Sequence, residues 1–272
     1  MFSATISREV MDISWVYQRD PEEITVQATK ENKPDILQYR IEVPSDGKVD
    51  AIARILEHED YDRVICFCNT KGSTERLTKF LQMRGVDAQC IHGDIPQKKR
   101  EEVMAQFREG KLHVFVATDV ASRGIDVDDV DAVFNFDVPE ENEYYVHRIG
   151  RTGRAGRTGV AITVLEPREH RRLRALEGIT KAKIELLTVP TVTDVRAKRM
   201  EVTRGAVKEE LLSGHFEKYR VVAEQLCEDA DPFEVAAAAL AYADKLAGNT
   251  EDEEEIPAVS PFEKKRREPR ER

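Results

Sequence analysis

Three short apolar runs, each leading into a polar cluster and then a helical pattern, limit what this chain can fold into. Val64-Ile65-Cys66-Phe67-Cys68 leads into Asn69-Thr70-Lys71, and Ala88-Gln89-Cys90-Ile91 into His92-Gly93-Asp94. Val114-Phe115-Val116-Ala117 leads in the same way into Thr118-Asp119. β-Prone runs of this length closed by polar residues read as buried strands feeding loops. Helical periods follow over residues 74–84 and 96–109, and in the second Val103, Phe107 and the stem of Arg100 share a face. Strands alternating with helices predict an α/β fold, a parallel sheet with flanking helices. Ligands of such sheets bind beyond the carboxyl ends of the strands. The three polar clusters are therefore expected along one rim.

A second feature supplies the chemistry. The run His147-Arg148-Ile149-Gly150-Arg151-Thr152-Gly153-Arg154-Ala155-Gly156-Arg157 sets an arginine at every third position among three glycines. Guanidinium is always charged, and its planar fork of donors suits phosphate oxygens. The glycines let the backbone bend close to a partner. The spacing suits a clamp on a polyphosphate, expected to gather on the same rim; the alternative is a solvated basic loop. Tyr144 and Tyr145, just before the run, are read as packing their helix rather than stacking a base.

These segments together resemble the DEAD-box ATP-dependent RNA helicases. Thr118-Asp119, Ser122-Arg123-Gly124-Ile125-Asp126 and residues 147–154 resemble motifs V and VI of that family. Phe67-Cys68-Asn69-Thr70-Lys71 resembles motif IV, and His92-Gly93-Asp94 with Gln97 and Arg100 the block after it. Met1-Phe2-Ser3-Ala4-Thr5 resembles motif III. The resemblance implies a RecA-like domain in which Arg151 and Arg154 are arginine fingers on ATP, with Asp126 and Gly124 beside the nucleotide. It further implies that Ser3, Thr5, His147 and Arg148 couple the nucleotide site to a facing domain. Asn69, Thr70, Lys71, Gly93, Asp94, Arg100 and Thr118 would hold RNA, mainly by its backbone.

The sequence also departs from the family. It holds no Gly-x-x-x-x-Gly-Lys-Ser/Thr loop and no Asp-Glu-Ala-Asp run. Without them nothing cradles the α- and β-phosphates or places Mg2+. The expectation is therefore a second motor domain whose partner, the first RecA-like domain, lies upstream of Met1 and holds the Mg2+ of ATP. Alone, the chain is expected to hydrolyse ATP negligibly.

Residues 1–33 read as the tail of that first domain plus a linker, with Ser7 able to cap a helix bearing Val10, Met11, Ile13 and Val16. Residues 34–177 read as the helicase C-terminal domain, from a strand at 36–43 to one at 160–165. A small all-α extension follows at 188–248. Thr191 with Asp194 could form a capping box, and Asp231 before Pro232 is a good helix start. Its stripes, Leu212, Phe216, Tyr219, Val222 and Leu226, then Phe233, Ala237, Leu240 and Leu246, need burial, within one chain or across a homodimer. The placement resembles the extension of bacterial cold-shock-type DEAD-box helicases. Residues 249–272 read as a disordered charged tail.

Net charge is −10, yet residues 148–174 hold eight arginines against Glu166 and Glu169 alone. Nucleic-acid affinity follows the local patch rather than the sum. Cys66, Cys68, Cys90 and Cys227 lack metal-ligand spacing, and no metal site is expected. No apolar run approaches the roughly 18 residues of a membrane span, and a cytoplasmic setting is expected. Two other readings stay open: a motor of a related DNA helicase group, and a non-enzymatic short form acting through RNA contacts and self-association.

Overall fold

The computed structural model describes residues 8–19, 22, 24, 35–122, 127, 129–154, 156–246 and 255–257. Its centre is a parallel sheet of β1 (Ile36–Glu42), β2 (Val64–Cys68), β3 (Ala88–Ile91), β4 (Val114–Thr118), β5 (Ala132–Asn135), β6 (Gly159–Leu165) and β7 (Glu185–Leu186). The strand order is β3-β4-β2-β5-β6-β1-β7. Parallel neighbours need crossovers, and helices supply them: α2 (Lys48–His58), α3 (Lys71–Met83), α4 (Gln97–Arg108), α5 (Asp119–Ser122), α6 (Asn142–Ile149) and α7 (His170–Thr180).

Both faces of the sheet are covered, which is why β2 reads as an unbroken apolar run. Val64, Cys66 and Cys68 point to the face packed by Ile52, Ile55 and Leu56 of α2 and Leu77 and Leu81 of α3. Ile65 and Phe67 point the other way, onto Val103, Met104 and Phe107 of α4. Farther along, Tyr145 and Ile149 of α6 and Leu173 and Leu176 of α7 close over Ala161 and Leu165. Burial pushes the Cys66 and Cys68 thiols well above their ordinary range, so neither is a ready thiolate.

Helix starts follow their caps. The Thr70 hydroxyl accepts from the Ser73 amide at 3.1 Å, so α3 begins at Lys71, ahead of the expected residue 74. The sheet also continues past residue 177. The two-residue β7 pairs with Tyr39 and Arg40 and covers the outer side of β1, a device that protects a sheet edge. A strand so short leaves no periodicity to read.

The extension comprises α8 (Val192–Ser213), α9 (Arg220–Asp229) and α10 (Pro232–Leu246). Thr191 and Asp194 form the capping box, each side chain accepting from the other's backbone amide. The Asp231 carboxylate accepts from the Phe233 amide at 2.9 Å. Only the root of α8 is buried, through Val192 and Val195. Leu212, Tyr219, Val222, Leu226, Phe233, Leu240 and Leu246 are all exposed. Among the described residues the stripes stay uncovered. α1 (Arg8–Tyr17) likewise exposes Ile13, Trp15, Val16 and Tyr17. Among the described residues no helix is long and apolar enough to cross a membrane.

Candidate functional site

Parallel register brings the strand ends together. Cys68 pairs with Thr118, Ile91 with Ala117, and Phe67 with Asn135. The loops after β2, β3 and β4 therefore share one edge. There Lys71 and Asp94, both exposed, form an ion pair at 2.6 Å. That hydrogen bond raises the Lys71 pKa above its ordinary value and lowers that of Asp94. Gly93 beside them is exposed, with open space where a Cβ would stand. Thr70 is exposed at the cap of α3. The half-buried Arg100 donates to the Ala121 carbonyl at 2.8 Å, and the Thr118 hydroxyl accepts from the Ala121 amide at 3.4 Å. Together they hold α4, α5 and the end of β4 as one unit.

Asn69 belongs to the scaffold of this edge. Its backbone amide donates to Asp137 at 3.0 Å, its side-chain amide donates to the Val138 carbonyl at 2.9 Å, and its side-chain oxygen accepts from Arg148. Arg148 itself is 1% exposed. It grips Asp119 through two bonds of 2.7 and 2.6 Å, donates to the Asp137 carbonyl at 2.7 Å, and lies over the Phe67 ring. The Arg148 fork is thus used inside its own domain. Helical side chains tilt toward the helix N-terminus, so Arg148, late in α6, points back to the edge where α6 begins.

Arg151 and Arg154 do not join that rim, which corrects the expectation of a single one. Thr152 bridges to Val130, ahead of the first residue of β5, and its hydroxyl donates to the Val130 carbonyl. The Arg151 carbonyl accepts from the Asp129 and Val130 amides. Gly153 and Gly159 meet Asp35 and Ile36, where β1 starts. The arginine loop thus lies where strands begin. An eight-residue helix rises about 12 Å and a four-residue strand about 13 Å, so α6 spans the height of β5 and delivers the loop to the opposite edge.

The glycines of this loop serve close packing. Gly153 has φ +70°, and a Cβ there would lie 2.7 Å from Ile36 and 2.8 Å from the Asp35 carbonyl oxygen. A Cβ on Gly159 would lie 2.3 Å from the Gly153 nitrogen. Asp35 is bound in turn, its carbonyl accepting from the Gly159 amide at 2.8 Å and its carboxylate from the Thr158 hydroxyl at 2.7 Å. Arg154 is exposed and its Nε donates to the Gly150 carbonyl; Arg157 pairs with Asp129. His147 is exposed on α6, while Tyr145 is fully buried and donates to Gln38, its pKa pushed up to about 12 by burial. Ser3, Thr5, Gly124 and Asp126 lie outside the described residues.

One charged group under the rim went unread in the sequence. Lys48, 4% exposed, sits 3.5 Å from Asp137 and 3.4 Å from Glu166, over the Phe136 ring. Asp137 thereby receives both Lys48 and the Asn69 amide. A lone lysine at a helix start carries no sequence signal for this.

Comparison with known proteins places the arrangement. The E. coli DEAD-box protein SrmB, solved bound to regulator of ribonuclease activity A, superposes with a TM-score of 0.55 at 34% identity, covering 58% of this chain and 93% of that one. The chain belongs to the DEAD-box RNA helicase family. Residues 47–156 match the helicase conserved C-terminal domain, and residues 190–254 the RNA helicase DeaD dimerization domain. The DEAD-box ATP-dependent RNA helicase CshA of Bacillus subtilis (strain 168) is 38% identical over 250 residues, 92% of this chain and 51% of the relative. The RNA helicase CrhR of Synechocystis sp. is 40% identical over 240 residues, 88% and 49% of the two lengths. A DEAD box protein of Methanococcus jannaschii superposes with a TM-score of 0.54 at 39% identity, covering 69% of this chain and 50% of that one. The chain thus spans about half the length of the curated relatives it matches. It is the C-terminal domain of a cold-shock-type DEAD-box protein with its helical extension.

Proposed function

We propose that this chain provides the second motor domain of a cytoplasmic ATP-dependent RNA helicase, taking nucleotide and RNA at opposite edges of one sheet. The observation that carries the reading is α6, which reaches one edge through Arg148 and delivers Arg151 and Arg154 to the other. At the second edge, exposed guanidinium on a glycine-shaped loop matches the donor set a polyphosphate needs. Arg151 and Arg154 would hold the γ-phosphate oxygens and meet the charge that develops there. Gly124 and Asp126 would lie beside the nucleotide. ATP, when bound, supplies the phosphoryl group whose hydrolysis drives the cycle, with Mg2+ held by the first RecA-like domain.

At the first edge, Lys71, Thr70, Gly93, Arg100 and Thr118 would hold the RNA backbone, with Asp94 and Asn69 setting the position of Lys71 and the loop. Phosphate contacts position without reading sequence, so little base preference follows. Arg148 is then a positioning residue beneath both surfaces, and His147, Ser3 and Thr5 the groups that meet the facing domain. The exposed stripes of α8–α10 would be covered by a second copy.

The test joins this chain to a first domain bearing a phosphate loop. Arg154→Ala should lower RNA-stimulated ATP turnover by roughly 10³-fold or more, as arginine fingers do elsewhere, with RNA affinity retained. Unchanged turnover overturns the assignment.

A further inference from the structure

A cleft of about 1030 Å³ lies at the β1–β7 end of the sheet, between the root of α8 and the approach to α7. Its walls carry Arg171 and Arg174, together with Arg40, paired with Glu42 at 2.9 Å, and Arg168, paired with Glu166 at 2.7 Å. Arg171 and Arg174 are exposed, three residues apart on one face of α7, and make no ion pair with any described residue. The chain's own Glu255, Ile256 and Pro257 line the same cleft.

Glu255 is held from two sides. One carboxylate oxygen accepts from Arg54 at 2.9 Å, and the other accepts from the Val192 amide at 2.9 Å. Arg54 is 3% exposed, and a guanidinium so deeply buried needs a counter-charge. Val192 opens the 22-residue α8, whose first amides have no partner within the helix and favour an anion. Ile256 packs against the apolar cluster of α2, β1 and β6, 2.9 Å from where a Cβ on Gly47 would stand. Just ahead of this anchor come Glu251, Asp252, Glu253 and Glu254, a run of like charge within about 14 Å of contour.

We propose that this cleft is a docking site for an acidic peptide, its anchor supplied here by the chain's own Glu255, Ile256 and Pro257, which fasten the root of the helical extension to the sheet domain. The occupant supplies a carboxylate for Arg54 and the helix end and an aliphatic side chain for the seat beside Gly47, and the acid that precedes it in sequence is opposite in charge to Arg171 and Arg174.

The experiment uses the full chain and follows hydrogen exchange of the Val192 amide. Glu255→Gln should speed that exchange by about tenfold, the loss of one charge-assisted bond. Gly47→Ala suits the local backbone, with φ −84°, yet removes the seat of Ile256, and should act in the same direction. Reversing Arg171 and Arg174 to Glu, both on the surface, should do so more weakly, and about 0.5 M salt should erase the difference from wild type. Exchange unmoved by Glu255→Gln and Gly47→Ala overturns the proposal. A labelled peptide of residues 250–259 should bind the Ile256→Asp chain with a Kd on the order of 10 µM. No binding, or stoichiometric displacement of the peptide by polyuridylate, overturns it, the latter in favour of a nucleic-acid site.

Discussion

Arg148 shows how little a residue's type says about its job. Beside three other arginines in the same run it reads as part of a phosphate clamp, yet its fork closes on Asp119, Asn69 and the Asp137 carbonyl. Arg148→Ala should cost about 3–5 kcal/mol in chemical denaturation, because the Asp119 carboxylate loses its buried partner. Arg148→Lys should recover only part, since an ammonium lacks the bidentate fork. At the exposed rim, Lys71→Ala should weaken binding alike for all RNA sequences and flatten the salt dependence by about one counterion. Asp94→Asn should tighten binding severalfold by removing a negative charge from the phosphate path. The bond to Lys71 holds the Asp94 pKa below its ordinary value. Its contribution to folding is therefore complete above the ordinary Asp range and is lost as pH falls through the lowered value, which an acid titration of stability reads out.

Elements were legible where side-chain period and burial agree. β2, β3 and α4 fall within a residue or two of their sequence bounds because each buries a face the sequence marks. β7 was not legible, because two residues carry no period. The opposite-edge placement of Arg151 was hidden for another reason: motif spacing records order along the chain, and only the rise of α6 against β5 tells where the loop emerges. Thr191→Ala should cost about 1 kcal/mol by removing the cap of α8, seen as faster amide exchange in its first turn. Gly153→Ala should destabilise the arginine loop more than a surface change does, since it strains a positive φ and drives a methyl into Asp35.

At the level of the molecule, two apolar surfaces remain open among the described residues, the stripes of α8–α10 and the face of α1. Patches of this extent on a folded chain mark contact with another surface. Sedimentation should show a dimer forming with concentration, and Leu226→Asp with Phe233→Asp should return it to monomer with the sheet domain intact. On the reading of residues 1–33 as the tail of the first domain, that domain would cover the face of α1. One further consequence follows from Asp35, knotted to Gly153, Thr158 and Gly159 at the threshold of the sheet. Asp35 therefore ties the first residue of β1 to the loop bearing Arg151 and Arg154, so that removing its carboxylate, as in Asp35→Ala, loosens that loop at Thr158.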